Sequence, residues 1–228
     1  MIPPLIIQRA QELGLNILGA TDHNSSRNAG ALMKAGEEAG IVVFPGMELQ
    51  TREEVHLLCL FESLEKALIW QETVYRSLPP LYNDEDHLGA QYVVDETGDY
   101  LETESRLLIV SAEITLEDAI RGVHALEGVA IPSHIDRPSF SLLANLGFLP
   151  PQFEADALEV SRHFNPAQGL LQYPELKKWP LVSNGDAHEL NQIRNRLKLK
   201  MDSPTLGEFK KAISGQEGRS FYISKECF

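Results

Sequence analysis

Carboxylate and imidazole side chains recur in this sequence at the points where short apolar runs end. The run "LNILGAT" is followed by Asp-His, "FPGM" by Glu, "VAIPS" by His and "PLVSNG" by Asp. The polar residues in or beside such positions are Asp22, His23, Glu48, His134, Asp136, Arg137, Ser161, His163, Asp186 and His188. A mixed His, Asp and Glu set without cysteine is typical of sites for Zn²⁺, Mn²⁺ or Fe²⁺. The sequence therefore predicts a divalent-metal centre.

Each of these residues also has an ordinary structural explanation. Asp22 or Asp186 could cap a following helix, His134 could be a hydrogen-bonded core histidine, and Glu48 could lie in a solvated loop. Five or six polar side chains at successive strand ends are harder to explain in that way, because the carboxyl ends of parallel strands meet at one rim. His56 is an exception to this placement, since it lies at the start of the apolar run "VHLLCLF".

Two arginines lie close in sequence to the predicted ligands, Arg27 after His23 and Arg137 after His134. A guanidinium group matches the geometry of a phosphate, to which it can donate two hydrogen bonds. Two or three metal ions about 3.5–4 Å apart can activate water and stabilise the oxygens of a phosphoryl displacement. The combination favours hydrolysis of a phosphate ester over carbonyl chemistry.

The residues between these positions alternate between short apolar strands and amphipathic helices, with Ser63 and Thr115 as helix caps. Short, nearly all-apolar strands separated by helices are typical of a mainly parallel sheet covered by helices. The pattern predicts a single α/β domain over residues 1–228, with either an open doubly wound sheet or a closed or distorted barrel. Residues 79–105 interrupt the alternation and predict a small hairpin insertion around Gly98.

The composition limits the class of protein. The 228 residues are 43% hydrophobic and 23% charged, as in ordinary soluble domains. No apolar run reaches the roughly 20 residues of a membrane span, and the first residues do not resemble a signal peptide. Cys59 and Cys227 are the only cysteines, which favours reduced thiols and a cytoplasmic location. The net charge of −13 argues against a broad basic surface for nucleic acid, although bound cations would reverse the local field in one cleft.

Four segments in this order, "GLNILGATDHNS", "FPGMELQTREEVHLLCLF", "IPSHIDRPSFS" and "SNGDAH", resemble the PHP (polymerase and histidinol phosphatase) family of metal-dependent phosphoesterases. The resemblance covers residues 1 to about 200. It implies a distorted (β/α)₇ barrel of the TIM-like type with two or three metal ions at the carboxyl ends of the strands.

The resemblance also implies a role for each matching residue. Glu48 corresponds to a carboxylate that bridges two ions, with His56 and His134 as its partners on one of them. Asp186 corresponds to a ligand of the other ion. The third ion would be held by His23 and His188, with the attacking water shared between ions. Asp186 and His188 are thus expected to take part in catalysis, and Arg137 to contact the phosphate.

The sequence departs from the family pattern at its start. Family members begin with a strand bearing an Asp-x-His-x-His motif and then a further Asp ligand, and this sequence contains neither. We therefore expect a barrel truncated at its first strand, with fewer ions than the family site and with Glu48, His56 and His134 as its complete three-ligand set. The gap beside the strand that ends at Thr21 would favour a homo-oligomer, or repair by a terminal segment such as "RSFYI".

The function expected from these observations is hydrolysis of a phosphomonoester, a nucleotide or an oligonucleotide phosphate by a metal-activated water. The partners would be a small phosphorylated substrate or a nucleotide, without a membrane. Two alternatives remain open on the sequence alone. One is a PHP-fold protein that binds metal incompletely and is catalytically impaired. The other is a metal-dependent amidohydrolase, which uses similar ligands but gives Arg27 and Arg137 no role.

Overall fold

The computed structural model describes residues 1–149 and 153–224. Cys227 lies outside this range. The described helices are α1 (Pro3–Glu12), α2 (Ala29–Glu38), α3 (Leu64–Ser77), α4 (Glu85–Leu88), α5 (Leu116–Ala125), α6 (Leu142–Asn145), α7 (Pro166–Gln172) and α8 (Leu206–Ser214). The described strands are β1 (Ile17–Ala20), β2 (Val42–Gln50), β3 (His56–Leu60), β4 (Tyr92–Val94), β5 (Tyr100–Thr103), β6 (Val129–Pro132), β7 (Leu158–Glu159), β8 (Leu181–Val182), β9 (Leu197–Lys200) and β10 (Ser220–Ile223). The chain is therefore of the α/β class, as expected.

The central sheet has the strand order β1-β2-β3-β6. Strands β1 and β2 are parallel, but β3 is antiparallel to both β2 and β6. The prediction of a mainly parallel sheet is therefore wrong at β3, and the reason is the short connection between β2 and β3. Only residues 51–55 separate β2 from β3, whereas a parallel crossover needs a dozen or more residues. Short connections can join only antiparallel neighbours, so these two strands form a hairpin.

The described strands do not close into a barrel. Strands β7 and β8 form a separate parallel pair, which lies beside β6 because Asp156 N donates to Ala130 O at 3.0 Å. At the opposite edge, β1 has β2 as its one strand neighbour in the described part of the chain. The terminal segment "RSFYI" does not fill this edge. It forms β10, which pairs antiparallel with β9.

In residues 1–149 and 153–224, the helices and strands pack around three apolar clusters. The largest contains Met47, Leu57 and Trp70, and lies between the sheet and helices α3 and α5. The predicted caps of these helices are confirmed, since the Ser63 hydroxyl accepts from Lys66 N and the Thr115 hydroxyl from Asp118 N. This core fixes β2, β3 and β6, which are the strands that carry the candidate ligands.

The segment between α3 and α5 is largely irregular but contains the hairpin β4–β5. Gly98 lies in its turn with φ +86°, a conformation that glycine adopts without strain. The hairpin packs back on the domain through Asn28, whose side chain contacts both Tyr92 O and Val94 N. None of the described helices has the length and apolar character needed to cross a bilayer.

Candidate metal centre

The first two ligand candidates meet because β1 and β2 are parallel neighbours. His23 follows β1 and Glu48 lies near the end of β2, and the two residues form a parallel bridge that extends the ladder. Backbone bonds hold the pair on both sides, since Asn24 N donates to Glu48 O at 2.9 Å and Glu48 N to Asp22 O at 3.0 Å. The local pairing of the strands therefore brings the imidazole and the carboxylate together.

His56 reaches the same rim because β3 runs in the opposite direction. The first residue of an antiparallel strand lies at the edge where its parallel neighbours end. In the ladder, Gln50 of β2 is opposite His56, and His56 O accepts from Ser133 N at 2.9 Å. The placement of His56 at a strand start, which was an exception in the sequence pattern, is thereby explained.

The tightest group of possible ligands consists of His23, Glu48 and His56. One ligand atom from each lies within 4.8 Å of the other two. Nδ1 of His23 and Nδ1 of His56 lie 3.4 Å and 3.3 Å from Oε2 of Glu48. Glu48 and His56 are buried and His23 is half-buried. Two imidazoles and a carboxylate converging in this way can bind a divalent cation.

His134 lies on the other side of the same carboxylate. Its Nε2 is 3.8 Å from Oε1 of Glu48, and its ring centroid is 5.3 Å from that of His56. The two oxygens of Glu48 thus face different imidazoles, Oε2 facing His23 and His56 and Oε1 facing His134. This grouping differs from the one that the family resemblance implies, in which His56 and His134 share an ion.

The remaining candidates extend the cluster beyond His23. Nε2 of His188 is 3.3 Å from Nε2 of His23. The Asp186 carboxylate lies 3.8 Å from Nδ1 of His188 and forms an ion pair with Nη2 of Arg137 at 2.5 Å. Asp186 and His134 both have positive φ, +43° and +31°, which is uncommon for residues other than glycine. Such strain is often found at functional sites.

Burial sets the protonation states that metal binding needs. Burial lowers the pKa of His23 and of His134, so both rings are neutral at pH 7 and have a nitrogen lone pair available. Burial alone would raise the pKa of Glu48, but its contacts with His56 and His23 lower it to about 2. A charged carboxylate beside neutral imidazoles is the ligand set that divalent cations prefer.

Several buried ring nitrogens in the cluster have no hydrogen-bond partner among the described residues. They are Nε2 of His56, Nδ1 of His134, and Nδ1 of His56, which lies 3.3 Å from Oε2 of Glu48 without hydrogen-bond geometry. A buried polar atom without a partner costs roughly 1–3 kcal/mol, and folded proteins rarely leave one uncompensated. The residues present therefore fit a bound cation, which would satisfy part of this unused capacity.

Some predicted site residues do not join the cluster. Asp22 accepts a hydrogen bond from Asn28 Nδ2 at 3.2 Å. The carboxylate of Asp136 accepts from both the N–H and the hydroxyl of Ser161. The ring of His163 contacts Arg162. These contacts are local and connect neighbouring loops.

Arg27 also points away from the cluster. Its guanidinium group forms ion pairs with Glu102 and, at 3.1 Å, with Glu104. Both glutamates belong to the β4–β5 hairpin region, so Arg27 joins that region to the domain. The expectation that it contacts a phosphate has no support in this arrangement. Arg137 remains the arginine that lines the site.

Two residues that shape the centre, Glu159 and Phe140, were not predicted from the sequence. Glu159 is buried behind His134, where its Oε2 accepts from His134 N at 3.2 Å and its Oε1 from Asn184 N at 3.1 Å. Phe140 stacks on the ring of His56, with centroids 5.1 Å apart. A signal for Glu159 was present, because a glutamate within the apolar run "ALEVS" needs a buried partner.

Two cavities meet at the centre. The smaller, of about 200 Å³, is lined by the candidate ligands together with Arg137, Ser139 and Phe140. The larger, of about 950 Å³, runs from His23 and Glu48 along β1 on one side and residues 193–201 on the other. A ligand could therefore approach the cluster from the open edge of β1.

Comparisons with known proteins give similarity in structure alone. No protein-family profile matches the sequence, and no curated protein matches it. Endonuclease Q from Pyrococcus furiosus, a lesion-specific endonuclease, superposes with a TM-score of 0.64 and 20% identity over 97% of this chain and 53% of that chain. Endonuclease Q bound to a 27-mer duplex substrate with an abasic lesion gives a TM-score of 0.66 and 21% identity, covering 96% and 53%.

A third solved structure is similar over most of its length. It is a protein from Bifidobacterium adolescentis that is assigned as a metal-dependent phosphoesterase, with a TM-score of 0.57 and 18% identity over 91% of this chain and 86% of that chain. This chain spans about half the length of the endonuclease Q chains. At these identities the comparisons establish the fold, which is of the type found in metal-dependent phosphoesterases.

Proposed function

We propose that this protein is a metal-dependent phosphoesterase that hydrolyses a phosphate ester at the His23/Glu48/His56 cluster. The observation that carries the proposal is the convergence of one carboxylate and two imidazoles within 4.8 Å at a buried rim. The second support is the unused hydrogen-bonding capacity of His56 and His134 in the same place. The third is Arg137, which is ion-paired with Asp186 and lines the same small cavity as the candidate ligands.

His23, Glu48 and His56 would hold one divalent ion, with His134 at the second oxygen of Glu48. Asp186 and His188, beyond His23, would bind a further ion. We propose Zn²⁺, Mn²⁺ or Fe²⁺, since all three accept imidazole and carboxylate ligands. A bound ion lowers the pKa of water and neutralises charge on phosphoryl oxygens.

The side chains of this chain supply the remaining functions. Arg137 can exchange its contact with Asp186 for a phosphate oxygen of the substrate, because both partners are oxyanions. Phe140 covers one face of His56 and shields the cluster from bulk water. His188 is exposed at the outer end of the cluster, 3.8 Å from the Asp186 carboxylate, where it would face an incoming substrate.

The fold on which we propose this chemistry is a distorted (β/α)₇ barrel of the PHP type with an open position beside β1. An extended segment pairing with the free edge of β1 would complete the barrel. We propose that residues 1–228 form one such domain and that the segment around β4–β5 is an insertion on it. The three neighbours, two endonuclease Q structures and an assigned phosphoesterase, are consistent with this fold.

The substrates that suit the site are phosphomonoesters and nucleotide or oligonucleotide phosphates. The test is hydrolysis of p-nitrophenyl phosphate and bis-p-nitrophenyl phosphate with Mn²⁺ or Zn²⁺, before and after treatment with a chelator. We expect metal-dependent turnover that falls at least a hundredfold in Glu48→Gln, the variant that removes the shared carboxylate. His87→Gln is the control, because His87 is an exposed surface histidine.

Three results would contradict the proposal. Turnover of the Glu48→Gln variant equal to that of the unmodified protein would place the chemistry elsewhere. Binding of metal without turnover of any phosphate ester would favour the alternative, a catalytically impaired protein with this fold. Turnover of amide substrates alone would instead favour an amidohydrolase.

A further inference from the structure

Strands β9 and β10 form a two-stranded antiparallel ribbon with two different faces. Leu197 and Leu199 of β9 and Phe221 of β10 pack against the apolar cluster around Phe44 and Phe209. Side chains alternate between faces along a strand. Lys198 and Lys200 therefore lie on the opposite, outer face, where the ladder pairs Lys198 with Tyr222 and Lys200 with Ser220.

The ribbon is basic in a strongly acidic protein. Residues 193–201 and 218–224 contain five Lys or Arg and no Asp or Glu, whereas the whole chain has a net charge of −13. Of these five, Arg219 forms ion pairs with Asp202 and Glu208, and Arg196 is buried, so the excess positive charge at the surface rests on Arg194, Lys198 and Lys200. Other lysines, such as Lys34, Lys66 and Lys211, form ion pairs with carboxylates. Lys198 and Lys200 form no ion pair with any residue in the described ranges. Their charges are therefore available to an anionic ligand.

An aromatic ring lies beside these charges. Tyr222 is 65% exposed, directly opposite Lys198. Within the described residues, no ring stacks on it and no side chain is bonded to its hydroxyl. Exposed aromatic rings next to cationic side chains form the usual platform for the bases and phosphates of single-stranded nucleic acid.

The ribbon is continuous with the candidate metal centre. The lining of the cleft of about 950 Å³ includes the candidate ligands His23, Glu48, Asp186 and His188 and the outer-face residues Lys198, Lys200 and Tyr222. Apolar side chains of the sheet and of the ribbon, such as Leu18, Phe44 and Leu199, line the same cleft. The loop that carries Asp186 lies close to the residues that lead into β9. A Cβ placed on Gly185, next to Asp186, would be only 3.5 Å from Arg194 N. A chain that follows the ribbon is thereby led to the cluster.

We propose that the outer face of the β9–β10 ribbon binds single-stranded nucleic acid and directs its backbone into the metal centre. Lys198 and Lys200 are about 6.7 Å apart along the strand, from a rise of roughly 3.3–3.4 Å per residue. Two lysines at this spacing can contact separate phosphates while Tyr222 stacks on a base between them. A duplex buries its base faces and offers nothing for Tyr222 to stack on. The proposal names the substrate class of the proposed phosphoesterase and rests on that function only for cleavage, not for binding.

Binding is tested without metal, so that the result does not depend on catalysis. Fluorescence anisotropy of a labelled 12-nucleotide oligonucleotide is measured in chelator over a range of salt concentrations. We compare Lys198→Gln/Lys200→Gln with Lys177→Gln/Lys178→Gln, which removes the same charge from an exposed 3₁₀ turn whose residues do not line the cleft. Circular dichroism melts verify that both variants are folded.

The ribbon variant should bind at least tenfold more weakly, and its salt slope should be smaller by about 1.4, the value for two lost phosphate contacts on a single strand. The control variant should change affinity less than twofold. Equal loss in the two variants would show that net charge alone determines binding. No binding by the unmodified protein would also overturn the proposal.

Stacking is tested by Tyr222→Leu against Tyr82→Leu, an exposed tyrosine outside the cleft. We expect Tyr222→Leu to weaken binding roughly fivefold to a hundredfold, and to have no effect on an oligonucleotide of abasic residues. Duplex bound as tightly as single strands would contradict the proposal. DNA and RNA strands are compared in parallel, and either one satisfies it. Binding that persists in a protein without hydrolytic activity would support the ribbon and refute only the proposed function.

Discussion

The buried glutamate Glu159 should make the stability of the metal-free protein depend on pH in a particular direction. Burial and the nearby charge of Glu48 raise the pKa of Glu159 from 4.5 to about 7. A carboxyl group whose pKa is higher in the folded state binds its proton more tightly when folded. The free energy of unfolding should therefore fall as the pH rises from about 4.5 to about 7.

The size of the effect follows from the two pKa values. One pKa unit corresponds to about 1.4 kcal/mol, and between pH 5 and pH 8 the shift of Glu159 lowers the free energy of unfolding by about 2.5 kcal/mol. Glu159→Gln removes this dependence, since the amide is neutral throughout. The glutamine amide has only one oxygen and cannot accept hydrogen bonds from both His134 N and Asn184 N in the way the carboxylate does. This loss lowers the free energy of unfolding by roughly 1–3 kcal/mol at every pH.

The assay is urea unfolding of both proteins in chelator at pH 5, 6, 7 and 8. Glu159→Gln should be less stable than the unmodified protein at pH 5, and the difference should shrink or reverse by pH 8. Glu154→Gln, which changes an exposed glutamate, should show a constant difference. If the difference for Glu159→Gln does not change with pH, then Glu159 titrates alike in the folded and unfolded chains, and its pKa is not raised by folding.

Three further outcomes are expected from the site and the sheet. Arg137→Lys should raise KM for a phosphate ester about tenfold with little change in metal affinity, because a lysine cannot donate two parallel hydrogen bonds; a KM within twofold of the original would contradict the assigned role. Phe140→Ala should weaken Mn²⁺ binding several-fold in isothermal titration calorimetry by exposing His56 to water, and unchanged affinity would show that the stacking is incidental. Sedimentation should detect a concentration-dependent dimer formed through the open edge of β1, whereas a monomer at all concentrations would show that this edge is protected.

Candidate ligands of the centre could be predicted from the strand pattern only where they lie at the ends of strands that run parallel to each other. His23 and Glu48 were found because each lies at the end of an apolar strand, and parallel strands share that rim. His56 did not fit the rule, since nothing in its run of apolar residues indicates strand direction. The short connection between β2 and β3 contained that information, because five residues cannot form a parallel crossover.

Contacts between residues far apart in the sequence could not be predicted from local patterns. Arg27 was expected to contact phosphate because it follows His23, yet its partners are about 75 residues away in the hairpin region. The net charge of −13 argued against a broad basic surface for nucleic acid, but a sum over the whole chain does not show local differences in charge such as those of β9.

The most direct test of the metal centre is a titration of the chelator-treated protein with Mn²⁺ or Zn²⁺ by isothermal titration calorimetry. We predict saturable binding that is lost or at least a hundredfold weaker in both Glu48→Gln and His56→Ala. Binding should be unchanged in His87→Ala, since the ring of His87 contacts Asp84 on the surface. Equal affinity and stoichiometry in all four proteins would contradict this prediction, because the ion would then be bound by other residues.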